Sequence, residues 1–248
     1  GVIQDFLKKE KTKMLYLSGT PFNLYEDFNG DEIYTWDYIA EQTAKHNWSL
    51  EHPNEKNPYA ELPKMNIFTY DITKNIDNIL DQTGVFSFPE FFRTWTGNPK
   101  ADKASMPEGA KGRFVHEPEV SEFLDLLCKK DAENNFPFST NEYRQMFRHT
   151  LWVVSHVNEA AALEQLLKEH KIFRHFDVVN VAGRNETDEQ NENALDKVLK
   201  AIGDNPEKTS TITISCGRLT TGVTVAPWTA VFYLKGGDRA ATYMQTIF

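Results

Sequence analysis

Five short segments of the chain carry residue types that handle phosphate: Ser18-Gly19-Thr20-Pro21, Ser155-His156, Ala182-Gly183-Arg184, Cys216-Gly217-Arg218-Leu219-Thr220-Thr221-Gly222 and Lys235-Gly236-Gly237-Asp238-Arg239. Glycine exposes backbone N–H groups, hydroxyls donate hydrogen bonds, and Arg offers a planar fork. Together these suit the oxygens of a phosphate. No segment pairs a nucleophile with a base, so the chemistry implied is gripping and not covalent attack. The seven histidines, at 46, 52, 116, 149, 156, 170 and 175, make no His-x-x-x-His pair with a supporting carboxylate, so no metal site is expected.

Each segment follows a short apolar run, and those runs predict the elements that must position it. Met14-Leu15-Tyr16-Leu17 and 65–70 read as strands of a parallel sheet, with a helix near 33–45 and a loop over 52–63. From residue 151 the pattern is regular. Strands are predicted at 151–154, 177–181, 211–215 and 229–234, with helices at 158–170 and 188–202. Strands alternating with helices imply right-handed βαβ units and a parallel sheet covered on both faces. Ligands of such sheets bind at the carboxyl ends of the strands.

Residues 75–150 differ. Apolar residues at Val120, Phe123, Leu124 and Leu127 have helical spacing, and 97–112 is polar and rich in Gly, Pro and Lys, as a mobile loop would be. The expected organisation is therefore a first segment at 1–74, a mainly helical insert at 75–150 and a second α/β lobe at 151–248. Phe86, Phe88, Phe91 and Phe92 read first as core and second as a base-stacking platform. Lys100, Lys103, Lys111 and Arg113 suit either a solvated loop or one that guides a nucleic-acid strand.

Composition bounds the rest. The chain has 248 residues, 40% hydrophobic and 12% aromatic, enough to bury a core. Lys and Arg number 27 against 36 Asp and Glu, a formal charge of −9, which disfavours an overall basic coat but permits a local basic groove. The two cysteines, Cys128 and Cys216, make neither a disulfide framework nor a four-cysteine zinc site and fit a reducing, cytoplasmic compartment. No apolar run approaches the ~20 residues of a membrane span. The absence of an initiator Met and the apolar ending, Tyr243-Met244-Gln245-Thr246-Ile247-Phe248, suggest a piece of a longer polypeptide.

Ser18-Gly19-Thr20-Pro21-Phe22 resembles motif III of superfamily 2 helicases and translocases, in the form found in type III restriction-type helicase subunits. The segment 151–157 resembles motif IV, Cys216 to Val225 resembles motif V, and Tyr243-Met244-Gln245 resembles the opening of motif VI. The order is that of the family. The resemblance implies a RecA-like parallel sheet flanked by helices as the second lobe, preceded by the end of a first lobe. It implies that Ser18, Gly19 and Thr20 couple nucleotide state to lobe movement. Arg218, Thr220, Thr221 and Gly222 would touch the nucleic-acid backbone, and Gln245 would face the nucleotide. The ligands implied are ATP with Mg²⁺ and a DNA track, with RNA left open. The partners implied are the missing first-lobe residues and a modification or nuclease subunit.

The departures limit this. No Gly-x-x-x-x-Gly-Lys-Ser/Thr loop and no Asp-Glu pair suited to Mg²⁺ occur in the sequence, and the motif VI arginines would lie beyond Phe248. Losing an arginine finger alone costs ~10³–10⁵ in rate, so the chain alone is expected not to hydrolyse ATP. Two other readings stay open: a non-catalytic α/β interaction module, and a Rossmann-like enzyme using 235–239 as a phosphate loop. Asn57-Pro58-Tyr59 and Glu169-His170-Lys171 read as a surface turn and a helix end, not as methyltransferase or nuclease motifs.

Overall fold

The computed structural model describes residues 15–21, 25–68, 86–102, 104–130, 135–183, 188–237 and 240–247. The chain divides into two compact units, Gly1–Tyr70 and Asp71–Phe248.

Among its described residues the first unit holds one α-helix, α1 (Tyr38–Glu51), between 3-10 turns and irregular chain. Asp37 caps it, its side chain accepting from the Ala40 N–H at 2.8 Å. Lys45 Nζ donates to the Ala60 and Leu62 carbonyls at 2.9 and 2.6 Å, pinning the following loop against the helix. The expected strand at 14–17 does not form. Leu15 and Leu17 are 82% and 85% exposed and lie outside any strand, as do residues 65–68, while Met14 and 69–70 lie outside the described residues. The reason is pairing. A parallel strand needs ladder partners and two covered faces, and the described residues of this unit contain neither a second strand nor a buried side chain. The helix also begins five residues later than its expected start at 33, because Asp37 supplies the cap.

The second unit is α/β, with a four-stranded parallel sheet flanked by helices, the architecture of a RecA-like lobe. Its strands are β1 (His149–Val153), β2 (Asp177–Asn180), β3 (Thr211–Ser215) and β4 (Ala230–Tyr233), in the order β2-β3-β1-β4. β1 pairs with β3 in the register Leu151↔Thr213 and with β4 in the register Leu151↔Val231. Before the sheet come α2 (Phe88–Phe91), α3 (Pro99–Asp102), α4 (Glu117–Leu127) and α5 (Asn141–Met146). Between and after its strands lie α6 (Val157–Glu169), α7 (Asp188–Ile202) and α8 (Ala240–Ile247).

Strand alternation sorts the core into two layers. Val178 packs with Trp152, Ile212 and Ile214 against Ala160, Leu163 and Leu167 of α6. Its neighbour Val179 packs with Val181 against Ala194, Val198 and Ile202 of α7. Successive strand residues face opposite ways, so α6 and α7 cover opposite faces. That is the arrangement required when β1 connects leftward to β2 and β2 connects rightward to β3 by right-handed crossovers.

Residues of 86–138 belong to the α6 layer. Phe91, Phe92, Phe114, Val120, Leu124, Leu127 and Phe138 are buried there, so the Phe cluster is core. The stretch 97–112, expected to be a mobile loop, is clasped at its base. Trp95 N–H donates to the Arg113 carbonyl and Gly112 N–H to the Trp95 carbonyl. Asp102, 2% exposed, takes the Thr96 N–H, the Thr96 hydroxyl and the Gly97 N–H at 2.8, 2.8 and 3.0 Å. The Thr96 N–H bond is the main reason its carboxyl stays below the usual Asp value. Lys103 lies outside the described residues, and Arg113 is paired with Glu117.

His149, 1% exposed, ties β1 to the chain before β3. Its Nε2 donates to the Pro206 carbonyl at 2.8 Å, so its Nδ1 accepts from the Thr211 hydroxyl at 2.9 Å. A second ring proton would reverse the Thr211 bond, turning the hydroxyl from donor to acceptor, and would place a charge in a buried site. Burial pushes the His149 pKa down, and the Pro206 bond only partly offsets it. The unfolded chain then binds more protons than the native one between the native value and about 6.5, so stability must fall as pH drops through that window. His170, also lowered by burial, adds in the same direction. Urea denaturation midpoints should decline from pH 7 downward, and His149→Gln should flatten the decline. An unchanged slope in the variant would remove His149 as its source.

Candidate functional site

The carboxyl ends of β1, β2 and β3 open into a cleft of about 680 Å³. Ser155, His156, Val157, Asn158 and Glu159 line it from the start of α6, and Gly183 and Cys216 from the ends of β2 and β3. Pro89, Arg93, Thr94 and Thr96, from the region before the sheet, form the remaining wall. The topology explains the place. β1 and β3 are neighbours, yet β1 runs on to β2 on one side and β3 to β4 on the other. The two connections leave toward opposite faces, and an open sheet offers a ligand room where they separate.

The start of α6 is not a bare anion site. Glu159, 4% exposed, stands at the third helical position, and its Oε2 accepts from the Ser155 and His156 N–H groups at 2.9 and 3.1 Å. Its Oε1 lies 2.8 Å from His156 Nδ1. The carboxylate thus occupies amides that a phosphate would otherwise use. Across the cleft, Arg93 donates Nε to Glu90 Oε1 at 2.9 Å and Nη1 to the Asp102 carbonyl at 3.1 Å. His116 Nε2 meets the same Glu90 oxygen at 3.2 Å. Partial burial pushes the Glu90 carboxyl up, but the bonds to His116 and Arg93 outweigh it and hold the pKa below the usual Glu value.

The segment 216–222 folds into a tight loop after β3, with no helix following it. Ser215 Oγ donates to the Arg218 carbonyl at 2.5 Å and accepts from the Gly217 N–H at 3.1 Å. Thr220 Oγ1 donates to the Gly217 carbonyl at 2.6 Å. The loop carries two left-handed residues, Leu219 at φ 60° and Gly222 at φ 68°. Leucine tolerates that conformation poorly, but Leu219 is 5% exposed and buries its side chain among the α7 cluster, which offsets the strain. Thr221 and Gly222 are exposed.

Arg218 is turned into the protein. Its Nη1 donates to the Val181 carbonyl at 3.4 Å and its Nη2 to Gln190 Oε1 at 3.1 Å, so it joins the loop to the end of β2 and to α7. The guanidinium lies directly over Gly183, where any Cβ would overlap it. Gly183→Ala should therefore expel the Arg218 side chain and cost about 1–2 kcal/mol of lost hydrogen bonding. In an Arg218→Ala background the same change should cost little, a coupling of roughly 0.5–2 kcal/mol in a urea double-mutant cycle. Strict additivity would show that the two do not share that space.

The sequence-derived site residues divide between the units. Ser18, Gly19 and Thr20 lie in the first, where the Ser18 hydroxyl accepts from the Thr20 N–H at 3.1 Å. Thr220, Thr221, Gly222 and Arg218 follow β3 in the second. Gln245 is exposed on α8, which the Tyr233–Tyr243 edge contact of 5.0 Å holds to β4. Asp238 and Arg239 lie outside the described residues, as does Arg184. Arg93, Thr94, Thr96, Asn158 and Glu159 went unseen in the sequence. Glu159 had a local signal, an acid three residues past a helix cap. Arg93 had none. Among the described residues no group of three His, Cys, Asp or Glu side chains is placed to hold a metal ion, and no helix is long and apolar enough to cross a membrane.

No family model and no solved structure matches the chain. A curated protein of Mycoplasma pneumoniae, described as the C-terminus of a proposed type II restriction enzyme and methyltransferase, is 30% identical over 256 residues. The match covers 95% of this chain and 34% of that protein, so the chain spans about a third of the length of the curated relative it matches.

Proposed function

We propose that this chain is part of an ATP-driven DNA helicase or translocase of a restriction-modification system, contributing the second RecA-like lobe. The observation that carries the reading is the meeting of two distant segments. Residues 155–159 and Cys216 line one cleft, and 216–222 continue from it, all at the carboxyl ends of adjacent parallel strands. Hydroxyls and a glycine loop there grip a backbone without reading bases, as a motor moving along any sequence requires. The Mycoplasma relative, described as a restriction enzyme and methyltransferase, supports the restriction-modification setting.

In this reading Thr220, Thr221 and Gly222 hold the nucleic-acid backbone, Gln245 faces the nucleotide, and Ser18 to Thr20 link the two movements. ATP with Mg²⁺ would supply the free energy for stepping, and its phosphate loop and arginines would come from other residues of the longer polypeptide. The inward-turned Arg218 favours a second reading, an α/β interaction module without motor activity. The longer polypeptide decides between them. DNA-stimulated ATP hydrolysis and displacement of a triplex strand are expected of the motor. Hydrolysis indifferent to DNA, with no displacement, would leave the module.

A further inference from the structure

The cleft wall supplied by residues 89–96 has no counterpart among the helicase-like segments, and it brings the cleft its arginine. Glu90 and the Asp102 carbonyl take two of the Arg93 N–H donors and fix the guanidinium in place. The other donors of the fork make no bond to the described residues. The same holds for the side chains of Thr94, Ser155 and Asn158, which line the cleft with it. Elsewhere in the cleft Thr96 is committed to Asp102, and the Ser155 and His156 amides to Glu159. Because Glu159 has taken those two amides, an anion entering here depends more on side chains. Arg93 is the one Lys or Arg among the lining residues. Its fork is the geometry that grips phosphate oxygens in pairs.

We propose that Arg93, with the Thr94 and Ser155 hydroxyls and the Asn158 amide, forms a phosphate-binding subsite, so that the region before the sheet clamps the backbone against the second lobe. This rests on the nucleic-acid reading above, and the phosphate belongs either to a strand or to a nucleotide. The Glu90 carboxylate partly neutralises the same guanidinium and repels an anion, so removing its charge while keeping its oxygen acceptor should strengthen binding.

The test is anisotropy of a fluorescein-labelled oligothymidylate titrated with the 248-residue chain across a salt series, with ATP binding measured alongside. Arg93→Ala should weaken binding about tenfold and reduce the salt slope by about one. Arg93→Lys should keep the slope and recover part of the affinity, and Glu90→Gln should tighten binding about twofold or more, by removing the negative charge beside the guanidinium. The Glu90→Gln result stands even if Arg93→Ala fails to fold. Losses confined to ATP would assign the phosphate to a nucleotide, and losses confined to the oligonucleotide to a strand; either supports the subsite. If the wild-type chain binds neither probe, the nucleic-acid reading falls and the subsite with it. If it binds but Arg93→Ala keeps its affinity and slope, or Glu90→Gln fails to tighten, the subsite alone is overturned.

Discussion

Replacing Phe138 with alanine is expected to lower the stability of the second unit by about 3–5 kcal/mol. Phe138 is fully buried and stands between elements that are distant in sequence. Its ring meets Phe173 edge-on at 4.9 Å and Phe176 at 5.6 Å, and stacks on Phe232 of β4 at 5.6 Å. It also lies 6.2 Å from Trp152 of β1 and 6.3 Å from Phe147. The surrounding rings pack against one another, Trp152 on Phe173 and Phe232, and Phe173 on Phe176, which limits how far they can move into the void. Aromatic pairs add ~0.5–1.5 kcal/mol each beyond buried area. Against a total of roughly 5–15 kcal/mol, this is a large fraction. For a domain of this size the melting temperature should fall by about 6–20 °C. Thermal unfolding followed by circular dichroism measures it. A change of less than about 1 kcal/mol would show that the chain before β1 is not part of the core.

On the motor reading proposed above, Gly222→Val should impair DNA-stimulated ATP hydrolysis more than other changes in this loop. A Cβ at Gly222 meets nothing within 4 Å, so crowding within the chain is not the cause. The cause is backbone conformation. At φ 68° a β-branched residue is strained by about 1–3 kcal/mol, or it moves the loop. If the motor needs the loop in this conformation, that strain reads as roughly a 5- to 150-fold loss of stimulated rate. Gly222→Asn separates two explanations, since Asn adopts the left-handed region far more readily. Activity kept by Asn and lost by Val places the requirement in φ. Equal loss in both places it in close approach of a phosphate backbone to a bare glycine. Full activity of the Val variant would remove the 216–222 loop from the function.

The two α/β layers were legible in the sequence because their signals are local. β3 reads Thr-Ile-Thr-Ile-Ser, and all five residues are buried, Ile212 and Ile214 toward α6. The 188–202 helix has the bounds its apolar spacing implied, since Val198 and Ile202 recur at the helical period against β2 and β3. The failures have a common physical cause. Residues 14–17 have the composition of a central strand, but a strand is made by its neighbours, and the first unit supplies none among its described residues. Likewise 97–112 has the composition of a loose loop, while a buried Asp102 and a short antiparallel bridge, Thr94 to Phe114, organise its base.

The sequence by itself determined where strands and helices alternate in the second unit. It also determined which loop residues follow them, because hydrophobic period and turn residues act over a few positions. Tertiary structure alone decided three things about the cleft. It set β3 beside β1, bringing Cys216 next to the start of α6. It turned Arg218 inward over Gly183 and set Glu159 on the loop amides. It also carried Arg93 to the opposite wall, from more than sixty residues upstream of those it faces. None of these has a local signature, because each follows from the packing of layers and the satisfaction of buried polar groups across long separations in the chain.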